Sequence, residues 1–279
     1  MSGLLSSAAA LGSAATLGAA DFSGGLASRK TTLPSASFGV ELVGLAALPL
    51  AIWLLPSRWE LDGILYAFAG GLIGGLGLIL FYRAMTLNLI GVVAPVTGVV
   101  AAALPTVVGV LEGDRLHLGQ LVGIGIGLVA IVMINGFSRK MPEGARLGLG
   151  LAIVAGATFG LFFILFHAGS GAGVYAFAGG RAGSMISSLA FALLTRVSVI
   201  PRRPAWRLIG IGGLADGAGV ILYLYATFHG LLSLSALLTS FYPAFTVLCA
   251  RLFTHERMSL VQLAGAGLAI VAVALIAAT

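Results

Sequence analysis

The chain has 279 residues, 59% of them hydrophobic and only 9% charged, with a mean hydropathy of +1.10. Such a composition cannot clothe a water-facing surface and indicates a membrane protein. The formal charge of +6 does not indicate nucleic acid, because the 15 Lys and Arg sit mostly in short connectors between apolar runs, and the one cysteine, Cys249, excludes an internal disulfide.

The N-terminus, Met1 to Ala20, is apolar but lacks the Lys/Arg start of a cleaved signal peptide, so it reads as the first span. A helix needs about 20 apolar residues to cross the hydrocarbon layer. Breaking the chain at charges, Pro and Asn gives ten such stretches, near 5–27, 34–55, 63–86, 89–111, 117–137, 147–168, 172–195, 206–229, 231–253 and 259–278. Backbone groups in lipid must be satisfied within the segment, and no alternating barrel pattern occurs, so the expected class is all-α integral membrane. Trp53, Trp59 and Trp206 fall at span ends and read as interface anchors.

The stretch Leu208 to Ile276 repeats Tyr66 to Ile134 at a constant offset of 142 residues, pairing Gly71 with Gly213, Gly75 with Gly217, Thr97 with Thr239 and Gln120 with Gln262. At the same offset Ala15-Thr16-Leu17-Gly18 falls on Ala157-Thr158-Phe159-Gly160, so the unit is half the chain: residues 1–137 and 138–279. Five spans per half is an odd number, which turns the second copy upside down and places a central cavity between the halves. Spacings such as Gly71/Gly75 and Gly213/Gly217 predict close helix contacts.

The chain resembles the ten-helix, EamA-type members of the drug/metabolite transporter superfamily over nearly its whole length. Tyr242-Pro243-Ala244-Phe245, His255-Glu256-Arg257-Met258 and Gln262-Leu263-Ala264-Gly265 carry the resemblance; the first copy departs from it, with Ala101 at the proline position, Pro105 a turn later and Asp114 for Glu. The resemblance implies a transporter, and its characterised members include exporters of amino acids, aromatic ones among them. It also implies cytoplasmic termini, whereas the connectors opposite the termini hold most of the Arg and Lys and the positive-inside rule places the termini outside.

Ionisable groups inside a membrane are expensive and mark sites. Asp216, central in the eighth span where the first copy has Gly74, and Arg181, in the seventh, are either a buried pair locking two helices or a site. In the second case Asp216 binds a coupling proton or an amino group and Arg181 a carboxylate, and substrate arrival that breaks the pair changes its protonation. Asp21, Glu41 and Arg83 reach similar depth and form either a gate of ion pairs or a static interfacial cluster. His167, His229 and His255 lie at helix ends and read as solvated. Proline inside a membrane helix frees a carbonyl, and such places line cavities. Pro95 and Pro243, the duplicated Thr97 and Thr239, and Tyr82, Tyr223, Tyr225, Phe241 and Tyr242 are therefore candidate cavity residues, their aromatic members being alternatively lipid-facing. The expected cavity is built from the third, fourth, eighth and ninth spans and their neighbours.

A single central Arg is too few for phosphate cargo, and neither GxxxxGK[ST] nor HExxH occurs, so an ATP-driven pump, a protease and enzymes generally are not expected. The reading is a non-ATP exporter of small metabolites, amino acids first, in a bacterial-type inner membrane, working by alternating access. It needs a small-molecule substrate and the lipid bilayer, with no cofactor, metal or nucleic acid expected; proton coupling through Asp216 is one option, and a monomer suffices. The alternative is a proton-coupled multidrug or quaternary-cation efflux pump.

Overall fold

The computed structural model describes residues 2–111, 118–135, 144–229, 238–239, 241–255 and 258–277. The turns Asp114-Arg115 and Glu256-Arg257 and the connector residues Arg139 and Lys140 lie outside these, as do the side chains of Pro105, Gln120 and Gln262. Among the described residues eleven α-helices follow in order: α1 Ser2–Ser28, α2 Leu33–Gly44, α3 Leu48–Leu54, α4 Leu61–Leu87, α5 Ile90–Leu111, α6 Leu118–Asn135, α7 Ala145–Ala168, α8 Val174–Thr195, α9 Trp206–His229, α10 Tyr242–Phe253 and α11 Leu260–Ala277. Among the described residues there is no strand, only a lone antiparallel bridge between Ser57 and Gly173.

Helices α2 and α3 are one predicted span, broken by a 3-10 turn at Leu45–Ala47. Pro49 opens α3 and has no N–H to return to the preceding turn, which explains the break. Leu33–Leu54, Leu61–Leu87, Ala145–Ala168, Val174–Thr195 and Arg203–Ala226 are long and apolar enough to cross a membrane, and Ile90–Leu104, Leu121–Ala130, Tyr242–Phe253 and Leu263–Leu275 are shorter apolar helices. The chain is a multi-pass membrane protein. Trp53 and Trp59 are exposed at span ends, and Trp206, also exposed, donates from Nε1 to the Pro201 carbonyl at 2.9 Å.

Helix α1 packs along α9 and α10, α4 along α7 and α8, α2 along α8 and α9, α5 along α7 and α10, and α6 along α11. Glycine sets the closest of these approaches. A Cβ on Gly75 would come 2.7 Å from the Ser184 carbonyl of α8, and one on Gly213 would come 2.6 Å from the Val40 carbonyl of α2. Lipid tails are as apolar as the side chains, so such backbone contact supplies the packing that hydrophobic burial supplies in water.

One buried cluster, with Phe22, Phe81, Tyr82 and Met85, lies toward the end where α1 finishes. A second, with Leu55, Phe166, Phe177, Ile221 and Leu224, lies toward the end where α3 and α7 finish. The remaining space between the two clusters is the site.

Candidate functional site

A cavity of about 150 Å³ opens between the two clusters, with walls from α1, α2, α4, α7, α8, α9 and α10 and from Thr239. The α4 wall is made of Gly71, Gly74, Gly75 and Leu78, so little side chain fills that side. Facing it, α7 presents Phe159, Phe162, Phe163 and Phe166. Their i, i+3, i+4, i+7 spacing puts all four rings on one helix face. Phe162 stacks on Phe166 with centroids 5.1 Å apart and meets Phe163 edge-on at 5.3 Å.

The polar wall centres on Arg181. Its Nη1 donates to Glu41 Oε2 at 2.5 Å and also to Asp216 Oδ2, so one guanidinium ties α8 to both α2 and α9. Ser184, one turn along α8, donates to Glu41 Oε1 at 2.8 Å. Glycine makes room for this: a Cβ on Gly44 would stand 3.2 Å from Arg181 Nη1. The Arg181 Cζ lies 5.0 Å from the centroid of the Phe177 ring. Nη2 of Arg181 is buried with no hydrogen-bond partner among the described residues.

The two carboxylates on Arg181 differ. Glu41 is held at both oxygens and its side chain is 10% exposed, whereas the Asp216 side chain is 23% exposed and stands on the cavity side. A third carboxylate, Asp21 of α1, lines the same cavity and pairs with no cationic side chain among the described residues. Three carboxylates therefore share one cavity with a single guanidinium, in a mostly apolar setting where an uncompensated charge is costly.

The structure brings together the expected partners Arg181 and Asp216, and it adds Glu41 to them. Asp21 shares their cavity; Arg83 is exposed on α4 and forms no ion pair with Asp21 or Glu41 among the described residues, so the three do not assemble as a gate here. Tyr223, Tyr242 and Thr239 line the cavity.

Six other candidates stand elsewhere. Tyr82 is buried in the core beside Gly24, where a Cβ would run into its phenol ring. Tyr225 stacks on His229 at 4.2 Å, and Phe241 precedes α10 outside the cavity lining. Thr97 spends its hydroxyl on the Ala152 carbonyl at 3.1 Å, tying α5 to α7. Pro95 is buried within α5, which lends no residue to the lining. Pro243 occupies the first turn of α10, where a missing N–H costs no helical bond, and its ring packs toward Gly98. The fourth span thus gives way to the first, second, sixth and seventh as cavity walls. The phenylalanine face of α7 and Ser184 were not foreseen; the spacing of the four rings was the available signal.

Residues 146–278 match the EamA-like transporter family. A crystal structure matches 95% of this chain and 94% of its own at 17% identity and a TM-score of 0.63, which shows a shared fold. No curated protein matches the sequence.

Proposed function

We propose, from the premise that residues 146–278 form an EamA-like transporter domain of the drug/metabolite transporter superfamily and that the chain is a membrane transporter of small molecules, that it exports small metabolites, amino acids first among them. It does so as two inverted five-helix repeats, residues 1–137 and 138–279, that expose the cavity alternately to each side of a bacterial-type inner membrane. Transport is secondary, without ATP, and a monomer contains both halves.

Contacts that recur at the offset of 142 support the inverted repeat. Thr97 donates to the carbonyl of Ala152 at 3.1 Å, and Thr239 donates to that of Ala10 at 3.4 Å, which is the same bond with the halves exchanged. Likewise Val174 N donates to the Pro56 carbonyl at 3.1 Å, and Thr32 Oγ1 donates to the Ser198 carbonyl at 2.7 Å. Residues 32 and 56 flank opposite ends of the second span, so the two equivalent contacts face opposite sides. Leu17 and Phe159, Asp21 and Phe163, Gly74 and Asp216, and Leu78 and Val220 are four equivalent pairs, and all eight residues line the cavity. A cavity astride the axis that relates the halves can open to either side by rocking one half against the other.

The observation that carries the cargo reading is the pairing of a guanidinium and carboxylates with a phenylalanine wall in one cavity. An amino acid offers a carboxylate, an ammonium and a side chain to these three surfaces. The excess of carboxylates favours one second reading, a pump for lipophilic or quaternary cations coupled to protons. Uptake into liposomes of purified protein, with a panel of labelled amino acids and a lipophilic cation, separates the two. Saturable amino-acid uptake accelerated by unlabelled amino acid inside is expected. Movement of the cation alone, driven only by a proton gradient, replaces the first reading by the second.

A further inference from the structure

We infer that Asp21 is the ammonium-binding residue of the cavity and that the Arg181 guanidinium takes the carboxylate of the same cargo, with Glu41 and Asp216 as its standing counter-ions. The inference rests on the amino-acid reading above and assigns the roles within it.

The assignment follows from which groups already have partners. Asp216 is bound to Arg181, and Glu41 is bound to Arg181 and Ser184. A cargo ammonium reaching either must compete with a guanidinium. Asp21 has no such competitor among the described residues, yet it lines a mostly apolar cavity from the last third of α1. An ionisable group so placed is expensive and marks a substrate, ion or proton site, and a cargo ammonium would give Asp21 the counter-ion it lacks. Arg181 complements it: the residue is 6% exposed, lines the same cavity, and has five N–H donors, of which Nη1 serves both carboxylates while Nη2 serves none.

Position along the chain separates the two handles. Asp21 is seven residues from the end of α1, and Arg181 is seven residues from the start of α8, on a helix of the other half. Both residues line the one cavity, so a zwitterion held at both points would bridge α1 and α8 across the proposed halves. The repeat equivalent of Asp21 is Phe163, so the ammonium site has an aromatic face as its counterpart on the opposite wall. That face suits a cargo with an apolar or aromatic side chain and adds cation–π attraction to the ammonium.

Melting of the purified protein in detergent with three probes tests this: L-phenylalanine, phenethylamine, which lacks the carboxylate, and 3-phenylpropionate, which lacks the ammonium. Wild type is expected to bind L-phenylalanine about tenfold or more tightly than either analogue, since a hydrogen bond to a charged group is worth at least that factor. Asp21→Asn is expected to lower L-phenylalanine to the level of 3-phenylpropionate, and Asp21→Glu to restore the preference. In wild-type protein, esterification of Asp21 by a diazo reagent, which does not couple amines to carboxyls, mapped by mass spectrometry, is expected to slow with L-phenylalanine and phenethylamine and not with 3-phenylpropionate. This second measurement holds even if Asp21→Asn fails to fold. An unchanged preference in Asp21→Asn, or protection of Asp21 by 3-phenylpropionate, overturns the assignment while counterflow of L-phenylalanine leaves the transporter reading standing. If none of the three probes shifts the wild-type protein, the assignment and the amino-acid reading fall together.

Discussion

Arg181 is the residue on which the polar wall depends. Replacing it with Ala leaves Glu41 and Asp216 as neighbouring carboxylates without a counter-ion, a loss of about 3–5 kcal/mol for a buried pair in general. Arg181→Ala is therefore expected to melt well below wild type in detergent and to lose substrate counterflow. Arg181→Lys is expected to keep part of the stability but not the flux, because an ammonium lacks the planar set of donors that serves two carboxylates and leaves others spare. A wild-type melting curve for Arg181→Ala would mean that the ion pairs do not hold the helices. Part of this wall was legible in the sequence: two opposite charges in the middle of apolar spans have few alternatives to meeting each other. Glu41 was harder. Its depth along the span was readable and placed it level with Asp21 and Arg83, but depth says nothing about which way a residue points around the bundle, and Arg83 points outward.

At the scale of elements, glycine and threonine decide how the helices touch. Gly75→Val would drive a side chain toward the Ser184 carbonyl of α8, and Gly217→Val one toward the Gly44 carbonyl of α2. Overpacking of this kind costs about 1–3 kcal/mol, so both variants are expected to lower the melting temperature by similar amounts. A tolerated Gly217→Val would contradict backbone contact between α9 and α2. Thr97→Val and Thr239→Val each delete an interhelical bond worth roughly 0.6 kcal/mol on average in membranes, and paired melting curves should show small, similar losses. Sequence placed these glycines and the duplicated threonines, because their spacing and repetition stand out. It left open whether the hydroxyls face a cavity or a carbonyl. Thr97 gives its hydroxyl to a carbonyl outside the lining, whereas Thr239 does so while standing at the cavity edge. The phenylalanine face of α7 was hidden for a different reason: four rings at helical spacing look the same whether they meet lipid or a cavity.

For the whole molecule, the proposed repeat rests on the sequence most directly, since a constant offset of 142 residues held from Tyr66/Leu208 to Ile134/Ile276 has no local explanation. The break between α2 and α3 has no counterpart in α8, which stands at the offset of 142, so the proposed halves differ there. Their asymmetry is chemical as well: Asp21 and Asp216 face Phe163 and Gly74 at equivalent positions. If the halves rock, the contacts Thr32–Ser198 and Pro56–Val174 must separate in turn. Cysteine pairs at either place, in a Cys249→Ser background, are expected to abolish counterflow when cross-linked and to restore it on reduction. Full flux through both cross-linked proteins would rule out that motion.

Alternating exposure is tested most directly by single cysteines at Leu78 and Val220, equivalent positions on opposite walls of the cavity. In Cys249→Ser protein of known orientation in vesicles, each is reacted with a membrane-impermeant maleimide from one side and then the other. The account predicts that both positions label from either side, that amino acid shifts the balance between the sides, and that a cross-link at one end abolishes labelling from that end alone. Labelling confined to one side whatever the cargo would contradict it.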